Sequence, residues 1–470
     1  MTESRNPQDK QPRDESRRGF IRGSSLLLAG ALPSAPIATG APSASRLPPV
    51  ASTRELKVGL IGCGYQGIAT VSDLLNATAP RALDSSAHPD NSGFSIPLRL
   101  TALADAFPDR LQQALRTLRG RHGDLVQVDG GSRFLGLSAY RDLLATDVDL
   151  VLLAAPTCFR ALHFEQAIAA GKHVYAESPI AVDRSGVERF QLANDRAIAT
   201  QRVVGIGLSH RQHPQYQQAV ELVKGGAIGK IVSLRNHHWA RNSRKFAVAS
   251  SHSELETQLR NWTHYPWASG GSELEQWALT LDVANWLLQS HPLAAWCSPN
   301  DPSVDSTAPS AADAKSNPGP IADTVEFTYA AGIKLQCHGQ LGHQPSSKHH
   351  GLVVHGTEGW CDLAAGAIFD SKNALLWQAN DKPDVGCGNN RWESFLAAIT
   401  EGKAWNQGAA AIECTLAAIL GRLAVSGRKR VTWDDCLQSL EVFDCITPTI
   451  ADLDVDRNVN IERYLAGWNK

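Results

Sequence analysis

The chain has 470 residues, and its 45 Lys and Arg against 47 Asp and Glu give a formal net charge of −2. No basic stripe indicates nucleic acid and no polybasic patch indicates a membrane surface, so a small neutral or modestly charged molecule is the expected partner. The 9 cysteines form no C-x-x-C pair and no cluster at metal-ligand spacing, so we predict neither a disulfide nor a metal site.

Residues 1–45 are predicted to be a twin-arginine export signal and a linker. The sequence SRRGFIR at 16–22 precedes a weakly apolar run, and small residues follow it, with cleavage expected between Ala35 and Ala44. The apolar run is too short for a lasting membrane span, so no stable membrane anchor is expected. The prediction is a folded protein exported to the periplasm; the alternative is an ordinary basic tail.

Residues 55–182 alternate short apolar strands with helical patterns, which predicts a Rossmann-type, doubly wound parallel sheet. A buried strand at 56–61 leads into a G-x-G-x-x-G turn and then a helix. Such a turn lets the backbone and the helix N-terminus approach a pyrophosphate, whereas a turn without a ligand is the alternative. The predicted cofactor-binding residues of this turn are Gly62, Cys63, Gly64, Tyr65, Gln66 and Gly67.

Asp105 ends the second predicted strand, where a carboxylate can accept hydrogen bonds from the adenosine ribose. A carboxylate would also repel a 2′-phosphate, which favours NAD over NADP. Asp105 lies farther from Gly67 than the usual ~20 residues, and treating residues 80–97 as an insertion restores that distance. The alternative, that Asp105 caps the following helix, is compatible with ribose binding. Four residues that end later strands on the same edge complete the predicted cofactor site: Pro156, Thr157, Glu177 and Pro179.

From residue 183 the pattern changes to helices followed by alternating strand-like runs. It predicts a C-terminal α+β domain, 183–470, with a mostly antiparallel sheet for substrate binding and oligomerisation. The Pro/Ser/Asp/Ala run at about 298–320 is predicted to be a loop insertion.

Two segments carry a family resemblance. AGKHVYAESP at 170–179 resembles the AGKHV…EKP segment of the Gfo/Idh/MocA family of nicotinamide-dependent sugar and polyol oxidoreductases, and GGSELEQWALTLDVANW at 270–286 resembles a helix of its exported branch. The match covers about residues 55–440. It implies a Rossmann domain followed by an α+β domain, NAD as cofactor, a carbohydrate or polyol substrate, a homo-oligomer (dimer or tetramer) and a cis peptide before Pro179.

The resemblance places the catalytic lysine and histidine of the family at Ser178 and Leu279, and a further family histidine at Arg160. Hydride transfer at a carbinol carbon needs a group that exchanges the hydroxyl proton. A serine hydroxyl cannot do so near pH 7 without a neighbouring base. For each substitute candidate, a structural role is the alternative. The catalytic candidates are Ser178, His264, Asp282 and Arg211, with Tyr265 and Glu275 behind them.

Three functions remain open at this point. The first is an exported NAD-dependent oxidoreductase acting on a carbohydrate or polyol with a rearranged acid–base set. The second is a glycoside hydrolase or lyase that uses NAD transiently, and the third is an inactive dinucleotide- or sugar-binding protein of the same fold. The missing Lys and His favour the third, but the intact glycine turn and Asp105 favour the first, which we prefer.

Overall fold

The computed structural model describes residues 55–78, 96–240, 253–297, 324–341, 351–379 and 388–441. The predicted signal and linker at 1–45 and the predicted insertion at about 298–320 lie outside the described residues, so both stay predictions.

The first half of the described chain forms a parallel sheet of six strands in the order β3-β2-β1-β4-β5-β6. Its strands are β1 (Leu56–Ile61), β2 (Leu98–Asp105), β3 (Arg133–Leu135), β4 (Leu150–Leu153), β5 (His173–Ala176) and β6 (Val204–Ile206). The central strand β4, of sequence LVLL, is buried throughout, as expected of a parallel strand that is covered on both faces. The predicted doubly wound sheet is confirmed.

Five helices connect these strands or follow them: α1 (Tyr65–Thr78), α2 (Pro108–His122), α3 (Ala139–Leu144), α4 (Thr157–Ala169) and α5 (Arg184–Ala199). Helix α2 has Pro108 in its first turn, where a missing backbone N–H costs nothing. Asp183 is the N-cap of helix α5, and its side chain accepts a hydrogen bond from the Gly186 N–H at 2.7 Å. The described residues of this half also contain two short 3-10 turns, Gly123–Leu125 and Gly130–Ser132.

The second sheet contains nine described strands in the order β14-β13-β12-β11-β7-β10-β9-β8-β15. They are β7 (Ile231–Ala240), β8 (Ala294–Cys297), β9 (Thr324–Thr328), β10 (Lys334–Leu341), β11 (Gly351–Gly356), β12 (Gly359–Asp362), β13 (Ala367–Asp370), β14 (Leu375–Gln378) and β15 (Arg430–Thr432). All pairs are antiparallel except β10 with β7. The predicted mostly antiparallel sheet is therefore confirmed.

The remaining helices are α6 (Ser209–Gln212), α7 (Pro214–Lys224), α8 (Glu254–Arg260), α9 (Pro266–Ser269), α10 (Ser272–Leu288), α11 (Gly388–Glu401), α12 (Gly408–Gly427) and α13 (Trp433–Leu437). Two 3-10 turns, Trp262–His264 and Ala330–Gly332, lie among them. Helices α10 and α12 pack together, and α12 also contacts β8 and β9. By length and composition α12 could cross a membrane, but 67% of its most apolar window is buried inside the protein, as in a core helix.

Helix α11 returns from the C-terminal part of the chain to the first sheet. It packs on α1, and the rings of Trp392 and Phe395 lie 4.6 and 5.9 Å from the ring of Tyr175 on β5. Strand β6, which follows residue 182 in the chain, also belongs to the first sheet. The predicted boundary at 182 stays a prediction, and elements on both sides of it contribute to the parallel sheet or pack on it.

Candidate active site

A cavity of about 620 Å³ lies at the carboxyl edge of the parallel sheet. The residues that follow β1, β2, β3 and β4 line one part of it, and residues 259–263, which lie outside the parallel sheet, line the other part and are called its cover. Because the carboxyl ends of parallel strands meet at one edge, this is where open α/β sheets bind dinucleotides. Of the residues predicted to bind the cofactor, those lining the cavity are Gly62, Gly64, Tyr65, Gln66, Asp105 and Pro156.

The three glycines of the turn are needed for different reasons. A Cβ on Gly62, whose φ is +98°, would lie 2.4 Å from the Ala155 nitrogen, and a Cβ on Gly67 would lie 2.1 Å from the Gly62 carbonyl oxygen. Backbone packing therefore excludes a side chain at both positions. A Cβ on Gly64 would meet only the Arg110 Nη1, at 3.3 Å, and would otherwise point into free space. Gly64 keeps the cavity wall open, which fits a diphosphate approaching the N-terminus of α1.

Asp105 ties the glycine turn to the next segment of the chain. Its Oδ2 accepts a hydrogen bond from the Cys63 N–H at 2.6 Å, and its Oδ1 accepts one from the Phe107 N–H at 2.8 Å. Burial raises the pKa of Asp105, and these two backbone donors oppose the rise. Each carboxylate oxygen has a second acceptor position, so the turn-forming role and ribose binding are compatible. Cys63 contributes its N–H here, and its thiol lies buried against the Ala104 carbonyl.

A buried cluster adjoins the cavity at the ends of β4 and β5. The Thr157 hydroxyl donates a hydrogen bond to Glu275 Oε1 at 2.5 Å, and Arg160 Nη1 lies 4.0 Å from the same oxygen. Arg160 also donates from Nε to the Ala155 carbonyl at 3.1 Å and from Nη1 to the Pro179 carbonyl at 2.6 Å. Burial raises the pKa of Glu275, while Arg160 and then Thr157 oppose the rise. The Glu275 side chain is 28% exposed, and Glu275, Thr157 and Arg160 lie beside the cavity lining at Pro156 and Phe159 without being part of it.

Glu275 stands behind four other catalytic candidates in the sequence analysis. It lies four residues before Leu279 on α10, and residues four apart share one face of a helix. The resemblance places a proton-transferring histidine at Leu279, so position 275 lies on the same face of α10 as that position. Its contacts with Thr157 and Arg160 come from another part of the chain, and a sequence pattern does not contain them.

Ser178 has no such partner. The peptide between Ser178 and Pro179 is cis, as the resemblance implies. The Ser178 Oγ is buried and has no hydrogen-bond partner within the described part of the chain. Among the described residues, no base is therefore placed to activate this hydroxyl. The neighbouring Glu177 is also buried, and its Oε1 accepts a hydrogen bond from the Thr70 hydroxyl at 2.5 Å, which connects β5 to α1.

Arg211 and Asp282 bind each other. Arg211 Nε lies 2.9 Å from both carboxylate oxygens of Asp282, which is 1% exposed. Burial raises the pKa of Asp282, and the hydrogen bond and charge of Arg211 oppose that rise. This ion pair joins α6 to α10, and neither residue lines the cavity at the sheet edge.

We expect Arg211→Ala to lower the free energy of unfolding by about 3 kcal/mol at neutral pH, because it leaves the Asp282 carboxylate buried without its counter-ion. The pKa of Asp282 in the folded variant should rise further. The folded protein then holds a proton that the unfolded chain releases, so the cost should grow as the pH rises from about 4 to 7. Urea unfolding across this range measures it. Arg211→Lys retains the charge and should lose less; equal, pH-independent losses in both variants would contradict the ion-pair interpretation.

His264 ends the 3-10 turn that covers the cavity. It is half-buried; its neighbours Trp262 and Thr263 line the cavity, whereas His264 itself does not. A histidine that the sequence did not single out, His163, does line it. The His163 ring lies between those of Tyr140 and Phe159, with centroid distances of 4.5 and 5.8 Å. Burial lowers the pKa of His163 to about 3, so this imidazole is neutral near pH 7.

No protein-family model matches the chain. Related proteins include a dTDP-3,4-didehydro-2,6-dideoxy-alpha-D-glucose 3-reductase of Actinomadura kijaniata, 29% identical over 186 residues. Inositol 2-dehydrogenase 4 of Saccharopolyspora erythraea is 30% identical over 187 residues. These matches cover 39% and 40% of this chain, and in each case 46% of the relative. The chain therefore spans less than half the length of these curated relatives.

Solved structures match over a larger part of the chain. A levoglucosan dehydrogenase in complex with NADH and levoglucosan has a TM-score of 0.59 at 18% identity, covering 81% of this chain and 99% of that chain. A myo-inositol 2-dehydrogenase from Lactobacillus plantarum has a TM-score of 0.57 at 18% identity, with the same coverage. An aldose-aldose oxidoreductase from Caulobacter crescentus has a TM-score of 0.56 at 18% identity, covering 81% of this chain and 100% of that chain. The fold is shared with these oxidoreductases.

Proposed function

We propose that the protein is an NAD-dependent oxidoreductase of the Gfo/Idh/MocA type that acts on a carbohydrate or polyol. The observation that carries the proposal is the cavity at the carboxyl edge of the parallel sheet, with Gly64 open to it and Asp105 at its rim. The relatives named above, among them an inositol dehydrogenase and a sugar reductase, support the substrate class.

The chain supplies each part of a dinucleotide site. Gly64 and the N-terminus of α1 would hold the diphosphate, and Asp105 would accept hydrogen bonds from the adenosine ribose. Asp105 is the reason for preferring NAD, since its carboxylate would repel a 2′-phosphate. Pro156 and Thr157, at the end of β4, would border the nicotinamide half. Bound NAD would supply the hydride acceptor or donor for a carbinol or carbonyl carbon.

Glu275 is the proposed proton-transferring residue. Its Oε1 accepts a hydrogen bond from the Thr157 hydroxyl, which fixes the orientation of the carboxylate. The other oxygen, Oε2, would accept the proton of a substrate hydroxyl. Arg160, at 4.0 Å, favours the ionised form, and burial favours the protonated form. Burial has the larger effect, so the pKa of Glu275 is raised above that of an ordinary glutamate. A raised pKa suits a carboxylate that exchanges protons nearer to neutral pH. Arg160 thus takes part by setting the charge state of Glu275.

The proposal extends to location and assembly. The SRRGFIR sequence at 16–22 supports export of the folded protein through the twin-arginine pathway. A broad antiparallel sheet with exposed apolar side chains, such as Val232 and Trp296, supports a homo-oligomer. The alternative function is an inactive dinucleotide- or sugar-binding protein. The buried, unpartnered Ser178 hydroxyl and the leucine at position 279 favour that alternative.

One preparation tests these proposals. The protein is expressed with its leader and purified from the periplasmic fraction, and its acid-released ligand is identified by mass spectrometry. We expect stoichiometric NAD(H), and sugars or polyols should then change the absorbance of the reduced nicotinamide. Bound NAD(H) without any response to a panel of sugars and polyols would favour the inactive binding protein. Protein that contains no dinucleotide and binds none when it is added would refute the proposed function.

A further inference from the structure

The cover of the cavity comes from outside the parallel sheet. Helix α8 and the 3-10 turn after it contribute five successive lining residues, Leu259 to Thr263, opposite Phe107 and Arg110 of the segment that starts α2. Phe107 follows Asp105 by two residues. The cover therefore meets the wall of the cavity at the end where Asp105 would bind the adenosine ribose.

One side chain makes most of this contact. Arg260 donates two parallel hydrogen bonds to Asp109, from Nη1 to Oδ2 at 3.0 Å and from Nη2 to Oδ1 at 2.9 Å. Its guanidinium carbon also lies 4.1 Å from the centroid of the Phe107 ring, within the range of a cation–π contact. In return, Arg110 Nη2 donates to the Arg260 carbonyl oxygen at 3.3 Å. We call this set of contacts between α8 and the start of α2 the Arg260 clamp.

Contacts within α8 hold the Arg260 side chain in the clamp geometry. Arg260 Nε donates to Glu256 Oε1 at 2.9 Å, one helical turn earlier, and the Arg260 side chain is only 15% exposed. A planar guanidinium held by one carboxylate and paired with a second through two bonds has little rotamer freedom left to lose. The Asp109 side chain is 61% exposed, so solvent and salt can reach this end of the pair.

We propose that the Arg260 clamp closes the adenosine end of the cavity over a bound dinucleotide and slows its release. The proposal rests on the function proposed above, since it presumes that the cavity holds the cofactor. A dinucleotide that leaves from this end must first separate α8 from α2. That movement breaks the two Asp109 bonds and the Phe107 contact together, because all of them are made by one guanidinium. The clamp therefore acts on the dissociation rate of the cofactor.

The test measures release of NADH from the full-length protein by stopped-flow fluorescence, with excess NAD as the displacing ligand. Asp109→Ala removes an exposed carboxylate and should speed release about five-fold, because the paired bonds are lost and the ring contact remains. Arg260→Leu removes both contacts and should speed release about twenty-fold. Arg116→Ala, which changes an exposed arginine on the same helix α2, is the matched control and should release NADH at the wild-type rate.

The dependence of the NADH release rate on salt distinguishes loss of the clamp from a general loss of structure. Raising the ionic strength to about 1 M, where the Debye length is about 3 Å, should speed release from the wild type. It should have much less effect on Asp109→Ala, which no longer has the exposed pair. Wild-type release rates in both Asp109→Ala and Arg260→Leu would overturn the clamp while leaving the proposed function intact. A wild-type protein that binds no NADH would overturn both.

Discussion

Glu275→Gln should lower kcat by about 10²- to 10⁴-fold, the usual contribution of a positioned acid–base group, while the affinity for NADH stays close to that of the wild type. The amide keeps the size of the side chain and can still contact the Thr157 hydroxyl. It cannot accept a proton from a substrate hydroxyl. Steady-state kinetics with the best sugar or polyol found in the substrate panel, together with an NADH fluorescence titration, measure the two quantities separately.

The pH profile supplies a second measure of the same residue. Because burial raises the pKa of Glu275, the folded protein keeps this carboxyl protonated at pH values where an ordinary glutamate is ionised. Alcohol oxidation needs the ionised form, so its rate should fall as the pH drops through that raised pKa. The acid limb should therefore lie above about pH 4.3 and should disappear in Glu275→Gln.

Glu413→Gln is the matched control for that experiment. Glu413 is a second half-buried glutamate whose pKa is raised by burial, but it lies on α12 near Asp282 and Arg211. It should keep kcat within about two-fold, a change of less than about 0.5 kcal/mol in the activation barrier, because Glu413 lies near Asp282 and Arg211 and away from the cavity. If Glu275→Gln keeps the wild-type kcat and acid limb, Glu275 does not transfer the proton.

The sequence predicted the parts of the fold that local patterns specify. The buried LVLL run of β4 and the glycine turn after β1 each carry their structural reason within a few residues. The return of α11 to the first sheet depends on contacts of Trp392 and Phe395 with Tyr175, more than 200 residues earlier in the chain. An amphipathic helix pattern shows that one face is buried, but it does not show which layer covers that face.

In the candidate site too, local sequence patterns predicted some residues, whereas the contacts of others depend on tertiary packing. The residues of the glycine turn were predicted from their spacing between a strand and a helix, and Asp105 was predicted because it ends the next strand. Asp282 and Arg211 were predicted as possible catalytic residues, and the structure pairs them with each other at 2.9 Å. Whether a charged side chain faces a ligand or another side chain is decided by tertiary packing. Glu275 was undervalued for the same reason, since Thr157 and Arg160 make it a candidate.

The glycine turn offers a test that separates folding from binding within four residues. Gly67→Ala places a Cβ 2.1 Å from the Gly62 carbonyl oxygen, and a backbone atom between β1 and α1 cannot move away without shifting both elements. Overpacking against backbone should cost about 3 kcal/mol of unfolding free energy, at the upper end of the usual range. Urea unfolding of the ligand-free protein measures that loss.

Gly64→Ala is the matched variant. Its Cβ would meet only the end of the Arg110 side chain, which can move, so unfolding free energy should change by less than about 1 kcal/mol. The added methyl would occupy the space through which a diphosphate approaches the backbone, so NADH affinity should fall by about ten-fold or more. Stable Gly64→Ala protein with wild-type NADH affinity would show that the cavity wall at Gly64 does not contact the dinucleotide. An equal loss of stability in the two variants would show instead that Gly64, like Gly67, is required for the packing of the turn.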